Sequence, residues 1–321
     1  MAGKAFHFNG IQAILTDIGV DIEQANMIAS ASQAVDDFTD EQLIVFDDGK
    51  LYNPVVTAHK SLDPDNLDSR DASNVWMPFH FFPDHDGVCR PETDNVRKLV
   101  NYVKKKIADE RVLETEKNLY IGILLHILVD TYTHQDFMGL HCRHNDISRL
   151  DDEDEWNLTL LPNALPAIGH GEALTYPDDM WRRWSYKDSR DEERRRDNQD
   201  IFYQIIGKIP EFLNELGIGN GRMDEEKKQR YKPIFNSQED HEEKFNEITE
   251  GNVPPGSKIT YKHWKNKALR AVQSKDNVYI KKDPDNFKTS EWYLFQKVAR
   301  DIRHFFTTEI FPELTIQTKV Y

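Results

Sequence analysis

The stretch LYIGILLHILVDTYTHQDF, residues 119–137, sets His126, Asp130 and His134 four residues apart in an otherwise apolar run. Four residues advance a helix by about 400°, so each step drifts only ~40° and all three share one face. Imidazoles and carboxylates buried without partners are expensive, so something must satisfy this stripe. Two chemistries would. A divalent metal fits, because His nitrogen and Asp oxygen are ordinary zinc ligands. A hydrogen-bonded His–Asp–His ladder inside a core also fits.

Other residues of the same chemical kind lie in the same half of the chain. Nine of the twelve histidines precede residue 171, whereas surface histidines would scatter. His7 lies between Phe6 and Phe8, just ahead of a helix. Asp36 and Asp37 close a small-residue helix at the end where the macrodipole disfavours acids. His80, in PFHFF, is flanked by aromatics that should be buried and so needs a partner. His170 and Glu172, in AIGHGEALTYPDD, follow and precede glycines that permit tight turns around a site. His59 and His85 sit in polar loops and are weaker candidates. His141, His144, His241, His263 and His304 have polar or helix-surface contexts and read as structural.

The elements that must carry these residues read as helices. Asp21 is a natural N-cap for IEQANMIASASQAVDDF, and Glu92–Ala108 puts Val96, Leu99, Val100, Val103 and Ile107 on one side. Residues 47–90 read as a long loop, as does Met138–Tyr186 with its acidic run LDDEDEW. From Lys187, DSRDEERRRDNQD opens a charged helix that turns apolar at IFYQIIGKIPEFLNEL and stops at Gly217–Gly219. Arg222–Thr249 reads as charged helix, VPPG at 253–256 as a break, and Tyr261–Ser274 and Ser290–Phe311 as two further helices. Strands are absent from this reading apart from short runs such as Asn277–Ile280. The expectation is an all-α, multi-helix globule with long ordered loops. Residues 1–186 would form its metal-binding core, and residues 187–321 would pack on the same globule.

Composition bounds the partners. The chain has 321 residues, 38% hydrophobic and 30% charged, with a net charge of -15. That charge opposes general nucleic-acid binding, although a bound metal could still present nucleic acid as a substrate. Cys89 and Cys142 are too few for a disulfide framework. No apolar run approaches the ~18 residues of a membrane helix. The stretch MAGKAFHFNGIQAIL lacks a long apolar signal segment, so the expectation is a cytoplasmic protein or one exported by another route.

Taken in order, these motifs carry a resemblance. HxxxDxxxH on an apolar helix, after an early His, a helix-terminal Asp and an isolated His, and before a later His with a nearby Glu, resembles the zinc-dependent phospholipase C and P1-type nuclease superfamily. FHF, ASASQAVDD, PFHFFP, LLHILVDTYTHQDF and IGHGEALTYPDD resemble an uncharacterised bacterial branch of it, over roughly residues 5–186. The resemblance implies an all-helical fold holding two or three zinc ions, with other divalent metals fitting the same donors. It implies the ligands His7, Asp36 or Asp37 (the latter pair as the bridging carboxylate), His80, His126, Asp130, His134, His170 and Glu172. The chain departs from the superfamily in spacing, with four residues from Asp130 to His134 and two from His170 to Glu172.

The implied activity is hydrolysis of phosphoric esters, phosphodiesterase-like, on a small-molecule or lipid substrate, with Asp130 or Glu172 orienting or deprotonating the attacking water. Two alternatives stand beside it. One is a non-catalytic metal-binding effector or interaction protein. The other is an HD-type phosphohydrolase built on His85–Asp86, although Pro83 and Gly87 flank a pair that should lie on a helix.

Overall fold

A computed structural model describes residues 5–59, 71–152, 166–219, 221–249, 260–272 and 278–316. The VPPG break at 253–256 lies outside the described residues. Helices dominate: α1 (Ile11–Asp17), α2 (Ile22–Asp37), α3 (Asp94–Ile107), α4 (Glu114–Thr133), α5 (Asn198–Glu215), α6 (His241–Ile248), α7 (Tyr261–Ala268) and α8 (Glu291–Phe305). No helix among the described residues is long and apolar enough to cross a membrane.

The all-α expectation is wrong, because two small sheets accompany the helices. One has four strands in the order β2 (Leu51–Tyr52), β1 (Ile44–Phe46), β7 (Val278–Lys281), β6 (Leu269–Ala271). Its β1–β7 pair is parallel and joins residues over two hundred positions apart. The other is an antiparallel meander of β3 (Arg149–Asp152), β4 (Arg183–Lys187) and β5 (Glu193–Asp197). These strands run from two to five residues, too short to show a period.

The expected charged helix from residue 188 is instead a hairpin. Asp188 accepts the amides of Arg190 and Glu192, and Asp191 takes φ 63°, which together form a tight turn. The strand ERRRD then runs to Asp197, which caps α5 by accepting the amide of Asp200. Likewise, Tyr261–Ser274 stops as helix at Ala268 and continues into β6, and Arg222–Thr249 breaks into Glu225–Gln229, Lys232–Phe235 and α6. Pro233, at the start of the middle piece, prevents one continuous helix there.

The pair α2 and α4 forms the frame of the molecule. Their contacts advance in the same direction along both helices. Gln24 bonds Asn118, and a Cβ on Gly122 would lie 2.4 Å from the Ile28 carbonyl oxygen and 2.5 Å from the Ala31 Cβ. Only glycine permits that backbone approach. The small residues Ala31 and Ser32 of α2 are thus explained as packing against α4 at Gly122. Continuing along both helices brings Asp36 opposite His126. Asp301 on α8 also takes the Tyr102 hydroxyl of α3 at 2.7 Å, tying those two helices together.

Candidate metal centre

His7, Asp36, His80, His126 and Asp130 converge in the core. His7 arrives on a π-turn, Phe6–Gly10, anchored by Phe6 against Phe202, Phe235 and Phe245. Its ring stacks on His126 with centroids 3.9 Å apart, and its Nε2 lies 3.1 Å from Asp130 Oδ1. His80 enters at the end of the short helix Met77–Phe79, between the buried Phe79 and Phe82 in sequence and beside the Trp76 ring. His80 Nδ1, His126 Nε2 and Asp130 Oδ2 form a triangle with edges of 3.1, 3.2 and 3.2 Å. Asp36 Oδ1 stands 3.8 Å from His126 Nε2 and 3.9 Å from His80 Nδ1. Bonds of about 2.0–2.1 Å in a tetrahedron imply donor separations of roughly 3.3–3.4 Å, close to these.

A second group lies beside the first. His134 Nε2 is 3.1 Å from Asp178 Oδ1, and His170 Nε2 is 3.6 Å from Asp178 Oδ2. The ring of Phe81 stacks on His134 at 4.8 Å. Gly169, at φ 51°, admits that ring, since a Cβ there would come 2.2 Å from it. The five inner side chains are at most 1% exposed, whereas His170 and Asp178 retain 13% and 10%. The inner set is closed and the outer one has an edge toward solvent.

Hydrogen bookkeeping shows what these donors need. A carbonyl oxygen only accepts, so a ring nitrogen facing one must carry the proton. His80 Nε2 faces the Thr57 carbonyl at 2.8 Å, His134 Nδ1 that of His80 at 2.9 Å, and His170 Nδ1 that of Leu174 at 2.8 Å. In each neutral ring the other nitrogen is therefore a lone pair, and each lone pair points at a carboxylate oxygen. Acceptor against acceptor is tolerable only if the ring takes a second proton or a cation sits between. For His170, burial opposes the second proton, pushing its pKa down to about 3. Imidazoles fixed by carbonyls, with the free nitrogen aimed at a shared point, are how proteins orient metal ligands.

Asp36 makes the same demand from the acid side. Both of its oxygens are buried with no hydrogen-bond partner, and burial raises its pKa. Burial opposes ionisation of Asp130 too, but His134, His126 and His7 around it hold its carboxyl well below the ordinary range. Burial and the neighbouring His7 push His126 down to about 4. Near neutral pH the set offers ionised Asp130 and a neutral His126, the protonation states a cation requires.

Several expected roles change. The two-sided carboxylate is Asp130, with Oδ1 toward His7 and Oδ2 toward His80 and His126, rather than Asp36 or Asp37. Asp37 turns away and accepts from Gln33 at 3.4 Å. His134 lies one residue past the end of α4; its Nδ1 still stands 3.6 Å from Asp130 Oδ2 but donates to the His80 carbonyl, and its Nε2 serves the outer group. Glu172 is not in that group: its carboxylate accepts the Ile147 amide at 2.6 Å. Its expected place is taken by Asp178, because Leu174 at φ 55° folds the chain back on His170. His85 and Asp86 lie exposed on a turn, Asp86 paired with Arg90, so the HD arrangement is not formed. Phe79 and Phe82 are core, while Trp76 packs between His59 and His80.

The pH dependence of the metal-stripped chain follows. His7, His126 and His170 all lie below the ordinary 6.5 because burial disfavours their charged form. As pH falls below 6.5 the unfolded chain takes up these protons first, so native stability declines toward about pH 4. Asp36, raised from 3.8, opposes this but is one group against three. His126 alone contributes on the order of 3 kcal/mol of this loss. Urea unfolding in chelator at stepped pH will measure it; a flat profile between pH 6.5 and 4 would refute neutral buried imidazoles.

Residues 3–310 match a family of unknown function (DUF6765). No curated protein and no solved structure matches the chain.

Proposed function

The chain belongs to that family, DUF6765, which brings no activity with it, and from the site we propose a metal-dependent hydrolase of phosphoric esters. Zinc is the ion its nitrogen and carboxylate donors fit. The observation that carries the reading is the set of three imidazoles, two buried and one (His170) partly so, each fixed by a backbone carbonyl so that a bare nitrogen faces a carboxylate. Two or three ions are accommodated by the inner and outer groups together. The order His7, Asp36, His80, His126, Asp130, His134, His170 and then an acid supports the phospholipase C and P1-type nuclease chemistry. The resemblance rests on that order of ligands and not on an all-helical fold.

When bound, such ions supply a water acidic enough to attack at neutral pH and draw charge from the phosphoryl oxygens. The protein's own residues prepare the place. His134 and His170 are oriented by carbonyls, Phe81 excludes water beneath them, and the exposed edge of His170 and Asp178 admits a ligand. Asp130 is engaged on both oxygens and Glu172 on an amide, so neither is a free proton acceptor. A phosphoester small molecule or lipid is the substrate class, with nucleic acid a possible substrate rather than a binding partner.

Burial of the inner set favours a second reading, a non-catalytic protein whose metal is structural. One experiment separates the two. Protein purified without added metal should hold at least one zinc per chain and cleave bis(p-nitrophenyl) phosphate. Chelation should abolish cleavage while circular dichroism persists, and zinc should restore it. Metal without cleavage, with unfolding on chelation, selects the structural reading; much less than one metal per chain refutes both.

A further inference from the structure

Asp178 sits on the 3-10 turn Tyr176–Asp178, a single short turn closed by the Asp178 amide on the Thr175 carbonyl at 2.8 Å. Arg182 lies over the Tyr176 ring and bonds Asp179 from one side, and one buried amide holds the backbone itself. Asn198, the first residue of α5, is fully buried and donates its Nδ2 to the Tyr176 carbonyl at 2.6 Å and the Asp179 carbonyl at 2.7 Å. Those carbonyls bracket Asp178. The amide is itself prevented from flipping, because its Oδ1 accepts the indole N–H of Trp184 at 3.1 Å. Its backbone N–H bonds the Arg182 carbonyl at 3.0 Å, next to the Arg183–Asp197 pair of the β4–β5 ladder, which fixes where the amide stands. Both side-chain hydrogens of the amide and its oxygen are thus engaged, and both hydrogens go to this one turn.

We propose that Asn198 is the positioning residue of the outer metal group, setting the direction of Asp178 toward His134 and His170. The inference rests on the metal reading above and adds to it a residue from the half of the chain that carries no ligand. Hydrophobic packing does not explain the choice of residue, since a buried amide is retained only where its hydrogen bonds are specified. A shift of one carboxylate by a fraction of an ångström suffices to weaken a three-donor site, as losses of 10–100-fold at orienting partners illustrate. Trp184 acts through Asn198 and should show the same effect to a smaller degree. The inner residues His7, Asp36, His80, His126 and Asp130 face one another on other elements, and their ion should be spared.

Zinc content by mass spectrometry and zinc affinity by competition with a chromophoric chelator will test this on the full chain. Asn198→Ala should weaken the more loosely held zinc by about 10–100-fold and leave the tighter one in place. Trp184→Phe, which keeps the ring and removes only the N–H, should give a weaker loss of the same ion. It is the variant to read if Asn198→Ala does not fold. Unchanged affinity in the folded variants overturns the assignment. Equal loss of both ions overturns it as well, because the role would then be general to the fold. An unaltered chain that holds no zinc fails the metal reading itself, a different result from zinc retained in Asn198→Ala.

Discussion

Asp130→Ala is expected to strip the inner ion and lower the unfolding free energy by about 3–5 kcal/mol. The carboxylate receives His7 on one oxygen and His80 and His126 on the other, all within 3.1–3.2 Å and out of reach of water. Removing it leaves three buried imidazoles without their shared acceptor, and only the more distant Asp36 carboxylate, 3.8–3.9 Å from two of them, in its place. Asp130→Asn keeps the shape and should lose the ion with a smaller stability loss, because the amide donates to one ring nitrogen. Metal content and urea unfolding report the two effects separately. A variant that retains its ion, or whose stability stays within about 1 kcal/mol, would show that this carboxylate does not organise the centre.

Asp36→Asn should change sign with the state of the protein. With metal bound, the substitution removes a charged donor and stability falls. In chelator the native Asp36 is a buried carboxylate with no hydrogen-bond partner, so its neutral amide should stabilise the chain by about 1–3 kcal/mol. Thermal unfolding of both proteins, with and without chelator, gives the four values needed. Destabilisation in both states would mean that Asp36 has a role the metal reading omits. A hydrogen-bonded ladder without metal predicts no such reversal.

Much of the inner centre was legible because its spacing is local. His126 and Asp130 are four apart on a helix, and the helix forms where the pattern places it. Asp36 and His80 were legible as polar residues in apolar surroundings. The outer group was only half readable. His134 looked like a third member of the stripe, but α4 ends at Thr133 and the next residue turns toward Asp178. Asp178 itself depends on a left-handed Leu174, a conformation no periodicity announces. The sheets escaped for another reason: β5 is ERRRD, charged throughout, and its pairing is fixed by a turn and a partner strand rather than by its own composition.

Arg196, on that same strand, gives the C-terminal half a consequence beyond packing. Its guanidinium is buried and donates to the carbonyls of Tyr132 and Thr133 at 3.0 Å and of Gln135 at 3.1 Å. The first two are carbonyls that α4 leaves open at its end, and the third lies just past it, where a cation also suits the helix dipole. A chain cut after residue 186 would keep every candidate ligand and still forfeit this clasp. The smallest heritable unit of the centre is therefore longer than the span of its ligands, and a gene fragment encoding only the ligand-bearing half could not be exchanged between proteins as a working module.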